Sequence, residues 1–158
     1  IIRKKSEGAK ASANLQHNRD KKYIIPDKEP CDFLIKLGVM GKDGKVFQKH
    51  YTKFRQINRY LEIVEDVMPY LPEKNDKPLK VIDFGCGKSY LTFALYHYLR
   101  IMRNRNVEII GLDLKKDVIE FCSKTAQELG YDAGFGPHTY AEHVCSYIIT
   151  EIVNRGRI

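Results

Sequence analysis

The chain has 158 residues, about the length of one ordinary domain, and 43% of them are hydrophobic, enough to build a sizeable core. This composition excludes a wholly disordered chain, and four well-separated cysteines without a C-x-x-C pair argue against a disulfide framework, a metal cluster or a redox motif. No apolar run approaches the roughly 20 residues that cross a bilayer, so we expect a soluble, cytoplasmic protein without a membrane partner.

The net charge of +7 is concentrated at the front of the chain. Residues 1–60 carry 15 Lys/Arg against 6 Asp/Glu (+9), whereas residues 61–158 carry 12 against 14 (−2). We predict a basic, partly flexible N-terminal extension over residues 1–51, in which residues 1–22 lack apolar periodicity. Such a basic region favours RNA as a partner, and a solvated tail is the alternative.

The first long periodic segment begins at Thr52. Apolar residues recur there at steps of three and four, which predicts an amphipathic helix ending near Pro69 and burying Phe54, Ile57, Leu61, Val64 and Met68. A polar linker, residues 72–78, follows.

Two strands and two helices are predicted next. Residues 79–84 form a short β-branched run that predicts a buried strand, and a helix beginning near Ser89 follows it. Residues 107–112 predict a second strand that ends at Asp113, followed by a helix with Gly130 just past its end. Strand, helix, strand and helix with short links predict a right-handed βαβ unit in a parallel sheet.

Glycines occupy the turn between the first of these strands and its helix. Gly85 and Gly87 allow a sharp turn and a close approach of a ligand to the backbone. Asp83 and Asp113 end neighbouring strands, at the edge where open α/β sheets bind ligands, and a carboxylate at Asp113 can accept hydrogen bonds from both ribose hydroxyls. This pattern indicates an adenosine-type ligand.

Three cofactors compete for such a site. A phosphate-binding P-loop would need a glycine where the chain has Ile82, and a dinucleotide fingerprint would need one where it has Tyr90. A pyrophosphate would also be repelled by Asp83, whereas the amino group of S-adenosylmethionine would be attracted to it. We therefore favour S-adenosylmethionine over NAD.

Three blocks of sequence carry a resemblance to a known family. The blocks are KFRQINRY (53–60), VIDFGCGKSYLT (81–92) and GLDLKKD (111–117). Together they resemble class I, Rossmann-like, S-adenosylmethionine-dependent methyltransferases, and more narrowly a group of poorly characterised bacterial ones. The likeness runs from about Lys21 to Asp132.

The resemblance implies roles for individual residues. Gly85 and Gly87 would lie under the methionine part of the cofactor, Asp83 would contact its amino group, and Asp113 would hold the ribose. Leu114 would lie against the adenine. The remaining cofactor-binding residues are those of the helix that closes over the cofactor carboxylate and the rest of the glycine motif: Arg55, Gln56, Cys86, Tyr90 and Leu91.

After Asp132 the sequence departs from the family pattern. A third strand is expected there, but Thr139 and Glu142 form a capping box that predicts a non-family helix at about 139–154. We therefore expect the C-terminal half of the sheet to be absent from this chain, through truncation, a frame shift or divergence, and no catalytic residue can be named. The spacing of His138, His143 and Cys145 does not suggest a metal site.

These observations predict an α/β protein with a Rossmann-like parallel sheet and flanking helices. Residues 52–158 would form an incomplete class I methyltransferase domain behind the basic extension. The expected function is methyl transfer from S-adenosylmethionine to an unidentified acceptor, with RNA favoured. The alternative is a non-catalytic nucleotide- or RNA-binding module.

Overall fold

The structure, a computed structural model, describes residues 23–72 and 77–131 and the backbone of 139–140. Its elements in chain order are helix α1 (Asp32–Lys36), helix α2 (Tyr51–Val67), strand β1 (Leu79–Phe84), helix α3 (Tyr90–Tyr96), strand β2 (Val107–Asp113), helix α4 (Lys116–Glu128) and strand β3 (Thr139–Tyr140). Short 3₁₀ turns at Gln48–His50 and Met68–Tyr70 flank α2, and a π-helical turn, His97–Met102, continues α3. The predicted helix from Thr52 and both predicted strands are confirmed.

The three strands form one parallel sheet in the order β1-β2-β3. In β1 and β2, Leu79 pairs with Val107 and Phe84 with Leu112. Both crossovers run in the same direction along the sheet, so the right-handed rule puts α3 and α4 on the same face. The predicted α/β architecture, an incomplete Rossmann-like sheet with flanking helices, is confirmed.

The third strand corrects a prediction. The helix expected at about 139–154 does not start at Thr139, because Thr139 and Tyr140 pair in parallel with Leu112 and Asp113 of β2. The backbone groups along the outer edge of β2 need hydrogen-bond partners, and a parallel strand supplies them. This requirement outweighs the local capping signal that favoured a helix. Residues 141–158, with most of that helix and with His143 and Cys145, lie outside the described residues, as do residues 1–22 and His138.

One face of β1 is also more open than the sequence suggested. Its side chains alternate between half-buried and exposed, and Ile82 and Phe84 are 42% and 60% exposed. The helices cover the opposite face, where Val81 packs against the core. The apolar run therefore predicted the strand correctly but predicted its burial on both faces wrongly.

A single core joins the segment before α2 to the sheet and helices. Phe33 and Leu34 of α1 are fully buried together with Phe54 of α2 and Phe93 of α3. The buried Asn58 side chain fixes the segment further, because its Oδ1 accepts the Ile25 N–H at 2.8 Å and its Nδ2 donates to the Ile25 carbonyl at 3.3 Å.

A polar cluster links three elements at the edge of this core. The Tyr131 hydroxyl, just after α4, donates to Asp32 Oδ1 at 2.9 Å and lies 3.1 Å from His97 Nδ1. On the other side of the ring, His97 Nε2 lies 3.8 Å from the Cys31 sulfur. Burial alone would raise the pKa of Asp32, but its hydrogen bonds with His97 and Tyr131 lower that pKa below the usual value.

Among the residues that the structure describes, no helix combines the length and apolar character that crossing a bilayer requires.

Candidate cofactor site

The turn between β1 and α3 is held in a left-handed backbone conformation. Gly85 and Gly87 have φ of +69° and +52°, values that glycine adopts without a steric cost, and Ser89 follows at +54°. The Gly85 and Cys86 N–H groups both donate to the Leu112 carbonyl, at 2.8 and 3.0 Å. The turn is therefore fastened to the end of β2.

Asp113 is the second fastening point. Its Oδ2 accepts the Gly87 N–H at 2.9 Å, and its Oδ1 accepts the Lys115 N–H at 3.0 Å. The hydrogen bond from Lys115 lowers the pKa of Asp113 below its usual value; burial opposes this shift, and the hydrogen bond from Gly87 adds to it. Asp113 and the glycine turn thus form one unit, although 26 residues separate Gly87 from Asp113 in the chain.

Asp83, at the end of β1, is held by a residue of α3. The buried Thr92 hydroxyl donates to Asp83 Oδ2 at 2.5 Å, which orients the carboxylate. The side chain also lines a cavity of about 410 Å³ between α2 and the glycine turn. That volume lies in the range of small-molecule sites.

The cavity brings together most of the predicted cofactor-binding residues. Its walls include six of them: Gln56, Asp83, Gly85, Cys86, Tyr90 and Leu91. The other four, Arg55, Gly87, Asp113 and Leu114, lie outside this lining. Gly87 and Asp113 bond to each other at the turn, whereas Leu114 is 70% exposed and Arg55 lies on the exposed surface of α2.

Four further residues line the cavity that the sequence analysis did not assign: Lys53, Tyr60, Lys88 and Ser89. The spacing of the sequence already contained a signal for two of them, Lys53 and Tyr60. Lys53, Gln56 and Tyr60 stand at i, i+3 and i+7, which is one face of a helix, whereas Arg55 lies two residues from Lys53 and falls on another. Once α2 packs against the glycine turn, the face that carries Lys53 meets the cavity, and the face that carries Arg55 does not.

The charges around the cavity are mixed. The Lys53 ammonium donates to Gln56 Oε1 at 2.8 Å and lies 5.2 Å from the centre of the Tyr90 ring, a cation–π distance. Asp83 supplies a carboxylate in the same cavity, and Lys88 a second ammonium group. A ligand end that carries both a positive and a negative group would find a counterion for each.

Comparison with known proteins gives one family match. The model of a family described as "Methyltransferase domain" matches residues 52–144, which is more than half of the chain. Among curated proteins, the lysine 5,6-aminomutase beta subunit of Fusobacterium nucleatum is 61% identical over 31 residues. That stretch is 20% of this chain and 12% of the aminomutase subunit, too little of either protein to carry over an activity.

Solved structures give only distant similarities. Geranyl diphosphate C-methyltransferase from Streptomyces coelicolor A3(2) is 17% identical with a TM-score of 0.37, over 75% of this chain and 37% of that one. The [4+2]-cyclase SpnF is 18% identical with a TM-score of 0.31, over 42% of this chain and 21% of that one. The chain thus spans well under half of each of these proteins, and TM-scores below 0.5 add nothing to the family match.

Proposed function

The chain belongs to this methyltransferase domain family, and from that premise we propose that it binds S-adenosylmethionine in the cavity between α2 and the glycine turn. The observation that carries the proposal is that a carboxylate, Asp83, and an ammonium group, Lys53, line one cavity beside a turn that Asp113 holds in place. When bound, the cofactor supplies an activated methyl group for transfer to a nucleophile.

The described residues fit the two ends of this cofactor. The Asp83 carboxylate would receive the ammonium group of the methionine part, and the Lys53 ammonium would receive its carboxylate. An ionised carboxylate has about four acceptor sites, and the N–H groups of Gly87, Lys115 and Leu114 bond to Asp113. The remaining acceptor capacity would receive a ribose hydroxyl.

The first test is binding. In calorimetry, the full chain is expected to bind S-adenosylmethionine and its demethylated product, S-adenosylhomocysteine, because neither carries a phosphate. NAD and ATP with magnesium serve as controls, and both should fail, since their phosphates would approach Asp83. Binding of either control ligand in place of S-adenosylhomocysteine would overturn the cofactor proposal.

For the acceptor we propose RNA, because residues 1–60 carry a net charge of +9 that would attract a polyanion. The measurement is transfer of label from methyl-labelled cofactor to total RNA and, separately, to total protein. We expect label in RNA, and less of it as salt is raised, since released counterions favour the complex. Label confined to protein would contradict the choice of RNA, and cofactor binding without any transfer would favour the non-catalytic module.

The role of Lys53 gives a prediction of its own. Lys53→Met should weaken S-adenosylhomocysteine binding by ~3- to 10-fold, the usual range for losing a partly exposed charged hydrogen bond. Arg55→Met is the matched control, because Arg55 lies two residues away on the same helix but outside the cavity lining. The opposite outcome, with Arg55→Met weakening binding and Lys53→Met leaving it unchanged, would restore the role that the family resemblance gave to Arg55.

A further inference from the structure

Three small polar side chains meet beneath the glycine turn: Cys86, Ser89 and Cys122. Cys122, in the middle of α4, is fully buried. Its sulfur lies 3.1 Å from Ser89 Oγ and 3.3 Å from the Gly87 carbonyl oxygen. The thiol of α4 therefore sits directly against the turn that carries Cys86.

Cys86 lies in the turn itself, next to the residues that Cys122 contacts. It is half-buried and lines the cavity, so small solutes that enter the cavity can reach it. Interaction with the neighbouring Cys122 thiol, aided by Ser89 and opposed by burial, lowers the pKa of Cys86 to about 7. The same interaction, together with burial, raises the pKa of Cys122. At neutral pH the accessible sulfur therefore has more thiolate character than an ordinary cysteine, while the buried one keeps its proton.

This arrangement matches the requirements of a thiol pair that responds to oxidants. Such pairs combine an accessible thiolate with a second cysteine close enough to resolve the oxidised form. We propose that Cys86 and Cys122 form a peroxide-sensitive pair, in which hydrogen peroxide oxidises Cys86 and Cys122 closes a disulfide with it across the glycine turn.

The chemistry takes two steps. The Cys86 thiolate attacks one oxygen of hydrogen peroxide, so that an S–O bond forms, the O–O bond breaks, and the departing hydroxide takes a proton to become water. The Cys122 sulfur then attacks the Cys86 sulfur. The S–S bond forms, the S–O bond breaks, and the Cys122 proton leaves with the hydroxide as a second water. The two thiols lose two electrons, and the peroxide gains them.

Closing the disulfide would reshape the cavity. The Cys86 side chain would leave the cavity wall and turn towards α4, and Gly85 and Gly87 on either side would allow the backbone to follow. Cofactor binding should therefore depend on the redox state of the pair. This consequence rests on the proposed function, whereas the disulfide itself does not.

The experiment treats the full-length reduced protein with hydrogen peroxide and measures its mass. We expect a loss of two hydrogen atoms and a Cys86–Cys122 linked peptide after digestion. Cys122→Ser should stop at the sulfenic acid, trapped on Cys86 by dimedone, and Cys86→Ser should give neither product. Cys31→Ser, which removes a buried cysteine from a different cluster, is the control and should behave like the natural protein. A linkage to Cys31 or Cys145, or the absence of any linked peptide, would overturn the proposal.

Two further readouts separate the proposals from each other. Between pH 6 and pH 8 the rate of Cys86 oxidation should rise ~10-fold, as for a thiol that titrates near 7, and not ~100-fold, as for an unperturbed one. Calorimetry should show that binding of S-adenosylhomocysteine is lost on oxidation and regained with dithiothreitol. Equal binding by both forms would overturn the coupling to the cavity. If the reduced protein binds no S-adenosylhomocysteine, the proposed function fails, and the mass measurement still decides the thiol pair.

Discussion

Phe93→Ala is expected to lower the free energy of unfolding by ~3–5 kcal/mol, the usual cost of deleting a buried aromatic ring from a core. Phe93 is fully buried in α3, and its ring centre lies 6.3 Å from that of Tyr131. Helix α2 packs on one side of α3 and β2 on another, so the cavity left behind would open at the centre of the core. Since whole domains are stable by only about 5–15 kcal/mol, much of the protein's stability would be lost.

The measurement is urea unfolding followed by circular dichroism, with the midpoint and the slope fitted separately. Phe121→Ala is the matched control: it deletes the same ring from α4, where Phe121 is 44% exposed. The control should lose much less stability. Equal losses for the two variants would mean that the packing of α3 described above does not hold the protein together.

Asp113→Ala should lower the affinity for S-adenosylhomocysteine by ~10- to 100-fold, corresponding to the loss of hydrogen bonds to a charged group. Two effects act together. The variant removes the proposed acceptor for the ribose, and it releases the Gly87 and Lys115 N–H groups that hold the turn against the end of β2.

Calorimetry measures the loss, and Asp117→Ala is the control because Asp117 is an exposed carboxylate in the first turn of α4. Asp113→Asn adds a graded test. It keeps one oxygen acceptor but replaces the other with a donor, so we expect an affinity between those of the natural protein and the alanine variant. An unchanged affinity in Asp113→Ala would exclude the ribose role.

The parts of the fold that follow from local patterns could be predicted from the sequence. The β-branched run 79–84, the glycines after it and the carboxylate at Asp113 each have a short-range signature. The structure brings the end of that strand, the glycines and Asp113 together at one turn. The glycines have the positive φ that their place between strand and helix requires. This agreement arises because the βαβ unit is short and its geometry is nearly fixed by handedness.

The features of the fold that depend on contacts between residues far apart in the chain were harder to predict. The burial of β1 on one face only is set by where the helices pack, which a run of apolar residues does not record. The π-helical turn His97–Met102 changes the helical register after α3, which no local pattern predicted, and Met102 at its end is 45% exposed. Thr139 has a strong local capping signal for a helix, yet it pairs with the edge of β2 as part of a strand.

The choice between Lys53 and Arg55 shows the same limit within the site. Both are cations on α2, and their spacing puts them on different faces of the helix without saying which face meets the cavity. Only the packing of α2 against the glycine turn determines which face of the helix meets the cavity. The family resemblance therefore located the helix that lines the cavity, and the choice between the two residues stays a prediction.

The buried segment before α2 determines where a shortened version of this protein can begin. The family match begins at Thr52, but the core that the structure describes already includes Tyr23 and Ile24. A shortened gene that starts at Thr52 would encode a protein without Phe33 and Leu34, and it would leave the Asn58 amide without the backbone of Ile25. Such a product would expose an apolar surface on α2, and we expect it to aggregate. For this chain, the region that a family shares is smaller than the unit that folds.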